Sequence, residues 1–116
     1  MKILYDQLSA SISELTTKKY STSFSLGILC LDKSIRKPIY QVYGFLRIAD
    51  EIVDSFHDYE KGELLREFEA ETYQSIKRKI STNPILNSFQ EVVNLFNIDI
   101  SLVDSFLTSM KMDLEK

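Results

Sequence analysis

Three charged residues, Arg47, Asp50 and Asp54, are spaced so that a helix would place them along one narrow face. The two aspartates are one turn apart, where like charges repel by roughly 0.2–0.5 kcal/mol on an isolated helix. A divalent cation would relieve this repulsion, because Mg²⁺ typically takes one or two protein carboxylates and completes its shell with water and phosphate oxygens. One interpretation of the pattern is therefore that Asp50 and Asp54 bind Mg²⁺ and that Arg47 binds phosphate beside them.

An ordinary amphipathic helix is the simpler interpretation of the same residues. Its charged face would be solvated, and its other face would bury Val42, Phe45, Leu46, Ala49, Ile52 and Val53. Arg47 and Glu51, four residues apart, could then form a surface ion pair. Spacing alone favours this interpretation, since paired carboxylates one turn apart are common.

The composition predicts one helical globular domain. The chain has 116 residues, of which 44% are hydrophobic and 27% are charged, as in ordinary globular proteins. Only three Gly and two Pro are present, so there are few places for tight turns, and this scarcity favours helices. The net charge of −3 and the absence of a long basic run argue against a nucleic-acid partner.

The cellular setting is predicted to be the cytoplasm. Cys30 is the only cysteine, so it cannot form an internal disulfide and is compatible with a reducing compartment. The longest apolar run, residues 26–31, is far below the roughly 20 residues needed to span a bilayer. We therefore expect no transmembrane segment.

Six helices must position these residues, and the first three are read from apolar spacing and capping residues. Apolar residues at helical intervals predict a first helix over residues 2–19 and a shorter second helix within residues 20–31. Hydroxyl side chains at 21–23 can cap the second helix. The third helix is expected to begin at Ser34 as its cap and to run through Val53, so it carries the acidic pair.

The other three helices follow from similar signals. The fourth is expected to start near Asp58 or Tyr59, to end at residues 77–79, and to bury Leu65, Phe68, Tyr73, Ile76 and Ile80. Asn83 followed by Pro84 predicts the cap and first residue of a fifth helix, which Asn97 ends. Ser101 is expected to cap the sixth helix. The sequence contains no strand pattern and no internal repeat.

Three segments together resemble the amino-terminal part of the squalene/phytoene synthase family, and bacterial phytoene synthases in particular. They are a Ser-x-Ser-Phe segment at residues 21–24, a Tyr-x-x-x-Arg helix ending at Arg47, and an Asp-x-x-x-Asp motif beginning at Asp50. Their order and spacing agree with the family over more than thirty residues. Residues 109–114 also resemble a later helix of the same family.

The resemblance implies an all-α isoprenoid synthase fold and a prenyltransferase activity. In this family two prenyl diphosphates are joined head to head through a cyclopropylcarbinyl diphosphate, and Mg²⁺ assists diphosphate release. The expected reaction is the conversion of geranylgeranyl diphosphate to phytoene. An apolar product of this kind also suggests peripheral association with a membrane.

The resemblance also implies roles for individual residues. Asp50 and Asp54 match the catalytic aspartates that hold Mg²⁺, Arg47 matches a diphosphate contact, and Tyr43 matches a substrate-contacting aromatic residue. The complete set of implied substrate-binding residues is Tyr20, Ser21, Thr22, Ser23, Phe24, Tyr43 and Arg47. This chain departs from the family at Tyr20, where His is frequent, and at Glu51, where a second Asp is frequent.

The family has a second aspartate-rich motif on a later helix, beyond the residues of this sequence. Residues 1–116 are therefore expected to be the N-terminal part of one isoprenoid synthase domain, with only its N-terminal helices present, and to be inactive alone. Core helices left uncovered in this way suggest a homodimer.

Two other classes fit the composition. One is a non-enzymatic helical interaction domain. The other is a Mg²⁺-dependent nucleotide pyrophosphohydrolase, which would need further acids near Asp50 and Asp54. The nearest such residues in the sequence are Glu60, Glu63, Glu67, Glu69 and Glu71. Their spacing is more typical of a solvated helix face.

Overall fold

The computed structural model describes residues 1–115, and these residues form six helices and no strand. The helices are α1 Lys2–Tyr20, α2 Thr22–Ile28, α3 Lys33–Ser55, α4 Lys61–Arg78, α5 Pro84–Leu95 and α6 Ile100–Leu114. The all-α class is therefore confirmed. Within the described residues, no helix is both long enough and apolar enough to cross a membrane. Lys116, which the predicted domain includes, lies outside the described residues.

Two of the predicted helix starts are confirmed by their capping hydrogen bonds. The Ser21 hydroxyl accepts from the amide of Phe24 at 3.1 Å and caps α2. The Asn83 side chain accepts from the amides of residues 85 and 86 at 3.0 and 3.3 Å, and Pro84 occupies the first helical position of α5. Both arrangements satisfy amides that have no partner within the helix.

The caps of α3 and α6 differ from the prediction. Asp32, not Ser34, caps α3, and Asp99, not Ser101, caps α6. Each aspartate accepts from the amide two residues later, in both cases at 2.9 Å. These hydrogen bonds hold the pKa of each carboxyl below its usual range. An ionised carboxylate is a stronger acceptor than a hydroxyl and is favoured by the helix dipole, so the aspartates displace the serines from the cap position.

The bounds of α4 also need correction. The helix starts at Lys61 rather than at Asp58 or Tyr59, because the amide of Tyr59 first donates to the carbonyl of Phe56 in a turn. Lys79 ends the helix in a left-handed conformation, with φ of 61°. Ile80 therefore falls outside the helix and is 38% exposed, although the sequence predicts it to be buried. Leu65 and Phe68 are buried as predicted.

The core is built around one aromatic side chain of α3. Phe45 is 1% exposed and stacks on Phe89 of α5, with ring centroids 3.8 Å apart. Its ring also lies 5.4 Å from that of Phe68 in α4 and 5.6 Å from that of Phe106 in α6. Because one ring contacts three helices, α3 is the element that fixes the position of the others.

The first helix packs through small polar residues. Ser9, Ser13 and Thr17 are fully buried against α3 and α5, whereas the apolar residues Ile3, Leu4, Leu8 and Leu15 are exposed. The two helices approach closely at Gly44 of α3, where an added Cβ would lie 3.0 Å from the Cβ of Ser13. A leucine on this face would be too large for such a separation. The apolar spacing therefore locates α1 correctly but does not identify the face that it buries.

This close approach determines the direction of α1. Ser13 of α1 lies against Gly44 of α3, and Tyr20, further along α1, lies over Arg47, further along α3. Contacts that advance together along both helices mean that α1 and α3 run parallel. The short helix α2 lies in the connection between them. Parallel packing brings the C-terminal end of α1 to the charged half of α3.

Candidate functional site

The C-terminal half of α3 carries the candidate site. Tyr43, Arg47, Asp50 and Asp54 all lie on this 23-residue helix. A rise of 1.5 Å per residue separates Tyr43 from Asp54 by about 16 Å along the axis. The helix therefore presents an aromatic residue, a guanidinium and two carboxylates in that order.

Arg47 is held by two neighbours. Its Nη2 donates to Oε2 of Glu51 at 3.0 Å, so the ion pair of the simpler interpretation is present. The ring of Tyr20 covers the guanidinium, with 4.8 Å between the Arg47 Cζ and the ring centroid. The Arg47 Nε is buried and has no hydrogen-bond partner among residues 1–115. The guanidinium thus has two neighbours and keeps hydrogen-bonding capacity beyond the Glu51 contact.

Glu51 is the charged neighbour of Arg47. The sequence predicts an ion pair for Glu51 but no other role in the site. Hydrogen bonds from Ser55, Arg47 and Tyr20 hold the pKa of Glu51 below its ordinary value, despite the opposing effect of burial. The carboxylate is consequently ionised and is shared between the end of α1 and two turns of α3.

Asp50 and Asp54 differ in their surroundings. Asp54 is exposed, whereas Asp50 is half-buried. Burial raises the pKa of Asp50, and the charges of Asp54 and Asp113 raise it further, while the nearby Arg47 partly opposes them. Asp113 lies on α6, within the segment that resembles a later family helix, but the sequence alone does not place it beside Asp50. Negative charge at Asp50 is thus only partly compensated by the protein.

The acidic pair has the chemistry of a partial cation site. Carboxylate oxygens are the ligands that Mg²⁺ prefers, and one or two protein carboxylates are typical when phosphate supplies other ligands. The uncompensated charge at Asp50 suits an added cation. Within residues 1–115, no group of three or more His, Cys, Asp or Glu is arranged to hold a metal ion. The two aspartates would therefore need ligands from water or substrate.

The aromatic residues form the apolar half of the site. Phe24 of α2 stacks on Tyr43 of α3, with ring centroids 4.6 Å apart and ring planes 22° apart. On one side of this pair is a groove of about 360 Å³, which we call the apolar groove. It is lined by Phe24, Ile35, Pro38, Ile39, Val42, Tyr43, Leu46, Val92, Phe96 and Ile98.

A second groove, of about 660 Å³, also borders the stacked pair. The hydroxyl residues Ser21 and Ser23 line it together with Phe24 and Tyr43. Thr22 is exposed and lines neither groove, so the structure does not bring it to the site. The predicted residues thus form two contacting pairs, Tyr20 with Arg47 and Phe24 with Tyr43, with two serines beside the second pair.

The glutamates that a pyrophosphohydrolase would require are elsewhere. Most of them are exposed on or just before α4, and Glu69 instead pairs with Lys111 of α6 at 2.6 Å. None forms a metal-binding group with the aspartates of α3 among the described residues. His57 is likewise exposed, in the turn after α3. The geometry therefore gives this alternative no support.

Comparison with known proteins gives one match. The family model of squalene/phytoene synthase matches residues 17–116, a range that contains every candidate site residue named above. Residues 1–16, most of α1, lie outside the matched range. No curated protein and no solved structure matches the chain.

Proposed function

The chain belongs to the squalene/phytoene synthase family, and we propose that α2 and α3 bind a prenyl diphosphate for head-to-head condensation. The observation that carries this proposal is the order of groups along α3. The aromatic pair at Tyr43 borders the apolar groove, and Arg47 lies one turn further, followed by the acidic pair. A ligand with an apolar tail and an anionic head matches this order.

The diphosphate end is assigned to the charged half of α3. Arg47 would bind phosphate oxygens through its remaining N–H groups, with the Tyr20 ring holding the guanidinium plane. Asp50 and Asp54 would hold Mg²⁺. When bound, the metal supplies positive charge that stabilises the departing diphosphate. The Ser21 hydroxyl accepts the Phe24 amide but can still donate its own proton to a phosphate oxygen.

The prenyl end is assigned to the apolar groove. Ionisation of an allylic diphosphate leaves a carbocation, so the groove must exclude water while it holds the chain. Its lining is entirely aliphatic and aromatic. The faces of Phe24 and Tyr43 can also stabilise a nearby cation. We propose geranylgeranyl diphosphate as the substrate and phytoene as the product.

We also propose that the 116 residues bind this ligand without turning it over. The acidic pair supplies too few ligands to hold a metal by protein groups alone, and the grooves are open to solvent in the described residues. Incubation with geranylgeranyl diphosphate and Mg²⁺ tests this directly. Detection of phytoene above a protein-free control would contradict the proposal.

Binding can be tested by isothermal titration with four ligands in Mg²⁺ buffer. Geranylgeranyl diphosphate should bind most tightly, because it has both the tail and the head. Inorganic pyrophosphate and geranylgeraniol each lack one half and should bind more weakly. A nucleoside triphosphate that bound as tightly as the prenyl diphosphate would favour the pyrophosphohydrolase instead.

Site variants make the titration specific. Asp50→Asn and Asp54→Asn should each weaken binding of geranylgeranyl diphosphate by about tenfold, which corresponds to roughly one charge-assisted contact. Asp58→Asn is the matched control, because Asp58 is exposed in the turn after α3. Equal affinity in all three variants and the unchanged chain would refute the assignment of the acidic pair.

The exposed leucines of α1 support the prediction of self-association. Leu4, Leu8 and Leu15 are each more than half exposed and lie on the side of the helix away from Ser13. Large exposed apolar surfaces are typical of interaction sites. We propose a homodimer through this face, and light scattering over a wide concentration range tests it. Binding to vesicles by a monomeric protein would instead support peripheral membrane association.

A further inference from the structure

Glu51 lies at the junction between α1 and the charged half of α3. Its Oε2 accepts a hydrogen bond from Arg47 at 3.0 Å. The ring of Tyr20 covers the same guanidinium, so Arg47 connects this carboxylate to the end of α1. Glu51 also immediately follows Asp50 in the chain.

This environment argues against Glu51 as a third metal ligand. On a helix, successive residues point about 100° apart, so Glu51 points well away from Asp50 and toward the side on which it meets Arg47. One oxygen of the carboxylate already accepts from Arg47 at 3.0 Å. No metal-binding group that includes it is found within residues 1–115.

The same contacts suit a role in ordering Arg47. An arginine side chain has several rotatable bonds and loses conformational freedom when it binds a phosphate. Here two contacts already restrict the conformational freedom of Arg47. Glu51 fixes one edge of the guanidinium at 3.0 Å, and the Tyr20 ring covers its face at 4.8 Å.

We propose that Glu51 is a positioning residue that presents Arg47 to the diphosphate, an inference that rests on the proposed function. Its negative charge also opposes the binding of an anion, so the hydrogen bond and the charge have opposite effects. A test must therefore separate them. Glu51→Gln removes the charge and keeps an acceptor oxygen, whereas Glu51→Ala removes both.

The experiment compares these two variants in the 116-residue chain. Titration with inorganic pyrophosphate in Mg²⁺ buffer should show about tenfold weaker binding for Glu51→Ala than for Glu51→Gln, since each 1.4 kcal/mol is a factor of ten. Glu67→Ala and Glu67→Gln on α4 form the control pair, because Glu67 is exposed. These two controls should have equal affinities. Equal affinity of the two Glu51 variants, or tighter binding by Glu51→Ala, would overturn the proposal.

A spectroscopic measurement tests the positioning itself. The NMR signal of the Arg47 Nε–H group should indicate an ordered side chain in the unchanged protein and in Glu51→Gln, and a mobile one in Glu51→Ala. An ordered Arg47 in Glu51→Ala would overturn the proposal even if pyrophosphate did not bind to any variant. Failure of pyrophosphate to bind the unchanged protein would refute the proposed function separately.

A second variant keeps the test valid if Glu51→Ala does not fold. Tyr20→Leu removes the ring that covers Arg47 and leaves every charge in place. It should increase Arg47 mobility and weaken pyrophosphate binding in the same direction. An unchanged Arg47 signal in Tyr20→Leu would contradict the role of the two-sided contact.

Discussion

The contact between Gly44 and Ser13 gives a prediction in which two effects of known sign compete. Gly44→Ala removes a glycine from a helix interior, which alone stabilises a protein by roughly 0.5–1 kcal/mol. The new Cβ, however, would lie 3.0 Å from the Ser13 Cβ and 3.1 Å from its Cα. Contact with a backbone atom cannot be relieved by rotating a side chain, so the backbone of α1 at Ser13 must shift.

Overpacking of this kind costs typically 1–3 kcal/mol. Since Ser13 is fully buried, we expect the overpacking to exceed the gain in helix propensity. The net effect of Gly44→Ala should be destabilisation by about 1 kcal/mol. The free energy of unfolding from urea denaturation measures this difference.

Gly27→Ala is the matched control, because nothing lies within 4 Å of a Cβ at that position. It should stabilise the protein by about 0.5–1 kcal/mol. Ser13→Gly combined with Gly44→Ala should recover part of the loss, since the Cβ contact is then absent. If Gly44→Ala stabilises the protein as much as Gly27→Ala does, the account of α1 packing is wrong.

Two further predictions concern pH. Burial and the hydrogen bond to Asp104 raise the pKa of Tyr73 to about 12, so the stability from this contact is present below pH 10 and is lost between pH 10 and 12. Tyr73→Phe should therefore be less stable by about 0.5–1.5 kcal/mol at neutral pH, and urea denaturation should show the difference shrinking in this alkaline range. The pKa of Asp50 is also raised, but Asp50 is ionised already at neutral pH, and its ionised form is disfavoured in the folded state. Asp50→Asn should increase the midpoint of thermal unfolding at pH 7, and the increase should disappear below the ordinary pKa of 3.8; a decrease at pH 7 would contradict this.

The sequence predicts the number of helices because each one contains local signals. Asn83 with Pro84 and the Ser21 hydroxyl act on amides two or three residues away, and such contacts do not depend on the rest of the fold. The choice between Ser34 and Asp32 as a cap is also local, but it depends on which of two acceptors is stronger. That comparison can be made from the sequence when the ionised carboxylate is considered first.

The buried face of α1 could not be predicted in the same way. Its leucines recur with helical spacing, as core residues do, but the interhelical distance at Gly44 admits only small side chains such as Ser13. That distance depends on how α1 packs on both α3 and α5, which the apolar spacing of α1 does not encode. Long-range packing therefore overrides the apolar pattern of α1.

In the candidate site, too, some features follow from local spacing and others depend on tertiary packing. The common face of Arg47, Asp50 and Asp54 follows from helical spacing alone. The stacking of Tyr20 on Arg47 depends on parallel packing of α1 and α3, and the proximity of Asp113 to Asp50 depends on the position of α6. Neither contact has a local signal. The motif resemblance supplies the residue types, and the tertiary fold supplies their neighbours.

The acidic pair lies at the C-terminal end of α3, where the helix itself disfavours it. Carboxylates near a helix C-terminus face the negative end of the dipole, and Asp50 is also partly buried beside like charges. The helix tolerates them because Phe45 and Ala49, on the preceding turns, are almost completely buried and anchor it in the core. A ligand that brings positive charge to Asp50 and Asp54 would remove this cost. The folded state should therefore gain stability from magnesium pyrophosphate beyond what either ion provides alone, and this excess should be lost in Asp50→Asn.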